Sequence, residues 1–147
     1  MSERNTCRVV TGRVLEIDVR AGYRVVGDVD EMIAMMAREF ARIAEPTRIV
    51  IAADWRACRL LTPPVAERVV QMLAGSNPRV ERSAILHDVG QATSVLQVLR
   101  LTREAQLPYR RVFTDAHEME AWLGEIITPA ERARVHALLH GTKDGEQ

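Results

Sequence analysis

The sequence IVIAAD at Ile49–Asp54 is a continuous apolar run that ends at an acidic residue. A short run without polar alternation is typical of a strand that is covered on both faces, as in the middle of a parallel sheet. Turn and helix signals bound the run, because Pro46 precedes it and Pro63 and Pro64 follow it before a helical pattern. Residues 49–53 are therefore predicted to be the central strand, and the rest of the fold is built outward from them.

Two further strands are predicted on the amino-terminal side of this run. Apolar and charged side chains alternate over residues 15–20, which indicates a strand with one face in water. A turn signal at residues 21–22 leads to residues 23–26, which have the character of a second strand, so the pair predicts an antiparallel hairpin. The first strand begins either near Arg8 or after Gly12.

Helical patterns separate the remaining strands. The first helix is predicted to open near Asp28 and to continue at helical spacing until Pro46 stops it. Short strands at residues 83–86 and 111–113 alternate with further helices, and the last helix opens with the sequence TPAE at residues 128–131. The predicted helix caps are Asp28, Asp88, Asp115 and Thr128.

The order of these elements predicts the fold class. Two strands, then helices alternating with three strands, then a final helix pair indicate an α/β protein with a single mixed, mainly parallel sheet of about five strands and an antiparallel N-terminal hairpin, covered by helices. We expect one domain over residues 1–147, with a core at about 8–127, a C-terminal helix at about 129–140 and a polar tail at 141–147.

Composition restricts the partners and the compartment. The 20 basic and 20 acidic residues cancel, so no global field steers the chain to nucleic acid or to an anionic membrane. The two cysteines, Cys7 and Cys58, form neither a disulfide framework nor a metal pattern. No signal-peptide core and no bilayer-spanning apolar run is evident. We therefore expect a cytoplasmic protein without a nucleic-acid partner and without integral membrane association.

Motifs of strong catalytic chemistry are missing from the sequence. It contains no GxxxxGK[ST] or GxGxxG phosphate loop, no GxSxG elbow, no CxxC and no HExxH. We therefore predict no catalytic residue, no cofactor and no metal. Cys58 lies between Arg56 and Arg59, where it is either a reactive thiolate or an unremarkable half-buried thiol, and we favour the second interpretation.

One pair of histidines is a candidate metal site. His136 and His140 lie four residues apart on the last helix, so both imidazoles face the same way. Metal binding needs further ligands, and the sequence places no cysteine or acidic cluster beside them. The C-terminus of a helix also favours histidine through its dipole. The sequence alone therefore predicts no metal site here.

Candidate binding residues gather where α/β sheets place ligands, beyond the carboxyl ends of the strands. If the strands are parallel, residues 54–56, 87–88 and 114–115 converge at one edge. Trp55 there either contacts a ligand or folds back as a lid on the core. A lone histidine such as His87 is more often structural. The candidates from these segments are Asp54, Trp55, Arg56 and His87.

A second basic group lies late in the chain. Arg100 and Arg103 share a helix face, and Arg110 and Arg111 follow them. The favoured interpretation of Arg100 and Arg103 is a solvated face, partly neutralised by Glu104, and the alternative is a contact with phosphate or with an acidic partner.

Several of these segments together resemble a known family. They are the strand that ends in residues 54–56 and leads to Pro63 and Pro64, the strand at 83–86 followed by a helix with Arg100, and the strand at 110–113 followed by a helix that ends in residues 122–123. This pattern is similar to the SpoIIAA-like proteins, which share the STAS and CRAL-TRIO type of α/β sandwich. The TPAE helix resembles a tail common in bacterial members, and the resemblance covers residues 8–139.

The resemblance implies a regulatory role without catalytic machinery. STAS proteins of the anti-sigma-factor-antagonist type dock on a kinase or a sigma-regulating partner, and phosphorylation at the start of the helix after the third strand switches them. The nearest residue here is Thr62, where the helix dipole, Arg56 and Arg59 would favour a phosphate. The Asp-Ser-Ser-Gly type of motif is absent, and Pro63 and Pro64 remove two backbone donors from that turn. Thr62 is therefore first interpreted as a helix cap.

Three functions follow as hypotheses. The first is a non-enzymatic regulatory module that binds another protein, and the second is a CRAL-TRIO type carrier of a lipid or another small apolar ligand. The third is an enzyme that works through Asp54, His87 or Asp115, which requires these side chains to meet. A homodimer through an exposed helix or the hairpin edge is a further expectation that no residue pattern demands.

Overall fold

The computed structural model describes residues 4–141 and contains five strands and five α-helices. The predicted polar tail, apart from Gly141, lies outside the described residues. The strands are β1 (Asn5–Val9), β2 (Val14–Val19), β3 (Ile49–Asp54), β4 (Val80–Leu86) and β5 (Arg110–Phe113). The helices are α1 (Val26–Phe40), α2 (Pro63–Ser76), α3 (Ala92–Ala105), α4 (Ala116–Gly124) and α5 (Pro129–His140).

The five strands form one mixed sheet in the order of the sequence, β1-β2-β3-β4-β5. β1 is antiparallel to β2, and each later strand is parallel to its predecessor. When parallel strands follow one another in a single direction, crossovers of one hand place every connecting helix on the same face. α1, α2 and α3 therefore cover one face, and α4 and α5 cover the other. The predicted fold class is confirmed.

β3 is the doubly covered strand that its apolar run predicted. All six of its residues are buried. Ile49, Ile51 and Ala53 point into the core beneath α1, α2 and α3. Val50 and Ala52 point into a second core, which Met119 and Leu123 of α4 and Val135 and Leu139 of α5 complete. The alternation of side chains along one strand therefore joins two hydrophobic clusters through the sheet.

The predicted hairpin exists, but its second strand was placed wrongly. β2 pairs with the preceding segment, β1, and residues 23–26 form no strand. Both edges of β2 are occupied, because β1 pairs with one and β3 with the other. Residues 23–26 instead place Tyr23 in the core and begin α1 at Val26.

The predicted helix caps are correct at two of four positions. Asp115 accepts hydrogen bonds from the backbone amides of His117 and Glu118, and Thr128 accepts one from the amide of Glu131. Asp28 instead lies inside α1 and accepts from the amides of Arg24 and Val25 before it. Asp88 accepts from the amide of Gly90, and the residue that precedes α3 is Gln91. α1 also ends at Phe40, before Pro46, because the chain turns after that residue.

The polar face of β2 is covered, although its alternation predicted a face in water. Glu16 is only 5% exposed. Arg134 of α5 donates two hydrogen bonds to its carboxylate, at 3.0 and 2.8 Å. The hydrogen bond to Glu16 raises the pKa of Arg134 above its usual value, so the guanidinium remains charged. α5 therefore covers a charged side chain of β2 that the alternating pattern alone places in solvent.

The start of α5 is fixed to the turn between β1 and β2. The carboxylate of Glu131 accepts from the amides of Arg13 and Thr128, each at 2.8 Å. Gly12 lies in that turn with a φ of 60°, and a Cβ at this position would clash with the Glu131 carboxylate. A glycine is thus required both by the backbone conformation and by the close approach of α5.

Candidate functional site

The three segments that were expected to converge do meet at the carboxyl edge of the sheet. The amide of Trp55 donates to the carbonyl of Leu86, and the amide of His87 donates to the carbonyl of Phe113, each at 2.8 Å. β3, β4 and β5 therefore end at the same level of the sheet, and the residues that follow them line one edge. Several of these side chains are buried there and are not accessible to a ligand.

Asp54 and Arg56 form an ion pair at this edge, in which the carboxylate is buried and the arginine is partly exposed. The Asp54 carboxylate is 3% exposed and receives Nη2 of Arg56 at 2.8 Å and Nε at 3.0 Å. Arg56 also donates to the carbonyl of Leu139 in α5, at 3.0 Å. Asp54 therefore serves to hold the Arg56 guanidinium, which connects the sheet edge to the end of α5.

Trp55 is a lid on the core rather than a ligand contact. It is 2% exposed and packs edge-on against Tyr23, with ring centroids 5.5 Å apart. Cys58 is buried below the same loop, and this burial raises the pKa of its thiol to about 11. The favoured interpretation of Cys58 as an unreactive thiol agrees with that environment.

His87 is buried, and no described carboxylate hydrogen-bonds its ring, although the charges of Asp88 and Asp54 partly offset the effect of burial on its pKa. Its Nδ1 accepts a hydrogen bond from the amide of Asp88 at 2.7 Å, and its buried Nε2 has no partner within residues 4–141. Burial lowers the pKa of His87, so the ring is neutral near pH 7. Asp115 is occupied as the cap of α4. The contact between Asp54, His87 and Asp115 that the enzyme hypothesis required is thus missing in the described part of the chain.

A groove rich in arginine opens at the same edge, between the end of β2 and the start of α2. Its volume is about 460 Å³. We call it the arginine groove. It is lined by Arg20, Arg24, Arg56 and Arg59 together with Leu60 and Thr62.

Thr62 lies at the N-cap position of α2 with its side chain exposed. Its carbonyl accepts from the amide of Ala66, but its hydroxyl makes no cap hydrogen bond. Pro64 explains part of this, because a cap hydroxyl usually bonds the second or third amide of the helix and proline has none. Thr62 therefore occupies the N-cap position as predicted, but its hydroxyl does not make the predicted cap hydrogen bond.

The late basic residues do not join the arginine groove. α3 begins at the carboxyl edge and returns toward the start of β5, which carries Arg100 and Arg103 away from that edge. Arg100 forms an exposed pair with Glu104 at 3.5 Å. Arg110 is 6% exposed and donates to the carbonyl of Leu73 and to the side chains of Ser76, Asn77 and Ser83, so it holds α2 against β5.

The sequence interpretation missed Arg20 and Arg24 and the apolar rim of the groove. The available signal was the glycine turn at Gly22, which has a φ of 78° and brings both arginines to the end of β2. The apolar side chain at the groove is Leu60, which is 57% exposed. The sequence pattern could not single it out, because it lies in a loop between β3 and α2.

Comparisons with family models, with curated proteins and with solved structures gave no match. The resemblance to the SpoIIAA-like proteins therefore stays a prediction from the sequence. Within residues 4–141, no helix combines the length and the apolar content that are needed to cross a bilayer.

Proposed function

We propose that the chain is a regulatory protein–protein interaction module of STAS/SpoIIAA-like type, and that its partner binds at the arginine groove. The observation that carries the proposal is a groove in which the exposed arginines Arg24 and Arg59 lie beside the exposed apolar side chain of Leu60. Protein interfaces are enriched in arginine and combine it with an apolar centre.

Further exposed apolar side chains lie outside the groove, before and within α3. Leu60 at the groove is 57% exposed, and Val89 and Leu96 are 72% and 67% exposed. Gln97, which follows Leu96 in α3, ties the loop of Leu60 to that helix, because its side-chain amide donates to the carbonyl of Leu61 and accepts from the amide of Leu61. The loop before α2 is thereby held against α3. Exposed apolar side chains on held segments lose little further entropy when a partner covers them.

The charge of the groove defines the chemistry of the partner. Asp18 and Asp54 are paired with Arg20 and Arg56. Arg24 and Arg59 are exposed and make no ion pair with any residue from 4 to 141. The groove is therefore locally positive although the chain as a whole is neutral. A protein segment that carries acidic side chains beside apolar ones would complement it.

Thr62 gives the proposed module a means of regulation. Its exposed hydroxyl lines the groove beside Arg56 and Arg59. A phosphate on Thr62 would pair with these arginines and compete with an acidic partner. We therefore expect the modified form to release the partner.

A capture experiment with matched charge variants tests the proposal. The tagged chain and the double variant Arg24→Ala, Arg59→Ala are used to capture proteins from the source cells, and Arg100→Ala, Arg103→Ala serves as the control with the same change of charge. A partner that the wild type and the control retain, and that the groove variant loses at least tenfold, supports the proposal. Thr62→Glu should weaken the same capture, and Thr62→Val should not. A partner retained equally by all variants would place the interface elsewhere, and failure to capture any protein would oppose the proposed function.

The carrier hypothesis has less support from the structure. An apolar groove between α1 and α2, near Phe40 and Met72, has a volume of about 190 Å³. Pockets for small ligands usually have at least about 300 Å³. The protein-binding proposal is therefore the one that the described surface favours.

A further inference from the structure

Three of the four histidines of the chain meet where α4 packs against α5. Nδ1 of His136 lies 2.9 Å from Oε1 of Glu120, and Nε2 of His140 lies 3.3 Å from the same oxygen. The ring of His117 lies against that of His140, with centroids 4.8 Å apart. The spacing of His136 and His140 along α5 gives no sign of His117 and Glu120, because both of these residues lie on α4.

The spacing of these atoms suits a small divalent cation. The ligand atoms of Glu120, His136 and His140 all lie within 4.8 Å of one another. A tetrahedral Zn²⁺ with bonds of about 2.0–2.1 Å separates its ligand atoms by about 3.3 Å. Only small side-chain rotations are therefore needed to place an ion between the three groups.

The carboxylate of Glu120 is already oriented for this role. Nε of Arg132 lies 3.3 Å from Oε2, which leaves Oε1 facing the two imidazoles. Gly124 makes room for this arginine, because Nη1 of Arg132 lies 2.7 Å from the point where a Cβ would stand. An outer partner that fixes a ligand carboxylate is a regular part of metal sites in proteins.

The arrangement of the rings also suits a cation. The rings of His136 and His140 are stacked with centroids 4.2 Å apart, and the ring of His117 lies tilted by 38° against that of His140. Imidazole nitrogens are preferred ligands of Zn²⁺ and neighbouring metals, and three such rings are therefore gathered around one carboxylate.

We propose that Glu120, His136 and His140 form a binding site for a first-row divalent cation such as Zn²⁺, with a fourth position open to His117 or water. Glu120 lies on α4, as does His117, whereas His136 and His140 lie on α5. Binding would therefore join the two helices of the second layer. This site is separate from the arginine groove and does not depend on the proposed function.

The test uses the full chain without a histidine tag. Zn²⁺ is titrated by calorimetry, and Co²⁺ is used as a visible probe of the coordination geometry. We expect one equivalent to bind, the absorption of a four- or five-coordinate Co²⁺ to appear, and saturating Zn²⁺ to raise the melting temperature. His136→Ala, His140→Ala and Glu120→Gln should each weaken binding at least tenfold.

Glu118→Gln is the matched control, because it removes the same charge from an exposed position of α4 outside the cluster. Each variant is checked for its fold by circular dichroism before titration. Binding that is equal in the wild type and the two histidine variants would overturn the proposal, as would the absence of saturable binding by the wild type. A loss in Glu118→Gln as large as in Glu120→Gln would also overturn it, because it would indicate only a general effect of charge.

Discussion

Among single residues, the pair of Glu16 and Arg134 gives the sharpest expectation for stability. Glu16 is 5% exposed, so removal of Arg134 leaves a buried carboxylate without its counter-charge. We expect Arg134→Met to lower the free energy of unfolding by about 3 kcal/mol at neutral pH. Urea unfolding measures this change.

Two further variants separate the buried charge from general surface effects. Glu16→Gln combined with Arg134→Met should recover much of the loss, because the unpaired charge is then gone. Arg42→Met breaks a pair with Glu39 in which the arginine is 63% exposed, and we expect it to cost less than about 1 kcal/mol. Equal losses for Arg134→Met and Arg42→Met would refute the buried-charge explanation.

The same residues show what a sequence reveals about an individual side chain. Alternation over residues 15–20 correctly predicted which side chains share a face of β2. It could not show that α5 returns to cover that face, so Glu16 was expected in water. Trp55 was left with two interpretations for a similar reason, because the Tyr23 ring that buries it comes from a segment whose position was predicted wrongly. The period of a sequence pattern defines which face of a strand a side chain occupies, whereas the burial of that side chain depends on contacts with residues that are distant in sequence.

At the scale of elements, the docking of α5 on the β1–β2 turn depends on Gly12. An alanine there must adopt a φ of 60° and must displace the Glu131 carboxylate from the amides of Arg13 and Thr128. We expect Gly12→Ala to cost about 4 kcal/mol or more, from backbone strain and two lost hydrogen bonds to a charged group. Thermal or urea unfolding measures the loss.

Gly22→Ala is the matched control for this prediction. Gly22 also has a positive φ, 78°, but nothing lies within 4 Å of its added Cβ. Only the backbone strain then applies, so we expect a loss of about 1–2 kcal/mol. If both alanine variants lose the same stability, the close approach of α5 contributes nothing.

Elements were predicted better than their pairings. Strong caps such as Thr128 with Glu131 identify helix starts because both halves of the cap lie in the local sequence. The partner of β2 was wrong because pairing depends on which sheet edges are free, and β3 already occupies one of them. The residues of the arginine groove were predicted only in part for the same reason. Arg56 and Thr62 were found from the strand and helix that carry them, whereas Arg24 reaches the groove through a turn that was assigned to a strand.

For the whole molecule, the sequential order of strands leaves the sheet with two unequal layers. α1, α2 and α3 connect the strands and share a large core with the sheet. α4 and α5 follow the last strand and cover the other face through a smaller group of apolar residues and through the ion pairs of Arg82 with Glu125 and of Arg134 with Glu16. A layer that no later strand secures can detach without breaking the order of the sheet. We therefore expect it to be the cooperative unit of lowest local stability.

Hydrogen exchange of the backbone amides tests this difference between the layers. Amides of α4 and α5 should exchange through a local opening whose free energy lies below that of global unfolding, and amides of β3 and β4 should exchange only through global unfolding.

Val135→Ala removes two methyl groups from a fully buried position of the smaller core, and we expect a loss of about 2 kcal/mol of stability. That loss should lower the free energy of the local opening of α4 and α5. Val69→Ala, at a fully buried position of the larger core, should instead lower the free energy of global unfolding, and so reduce the protection of the amides of β3 and β4 as well as those of α4 and α5. If Val135→Ala reduces protection equally in both layers, the molecule unfolds as one unit and the second layer has no separate stability.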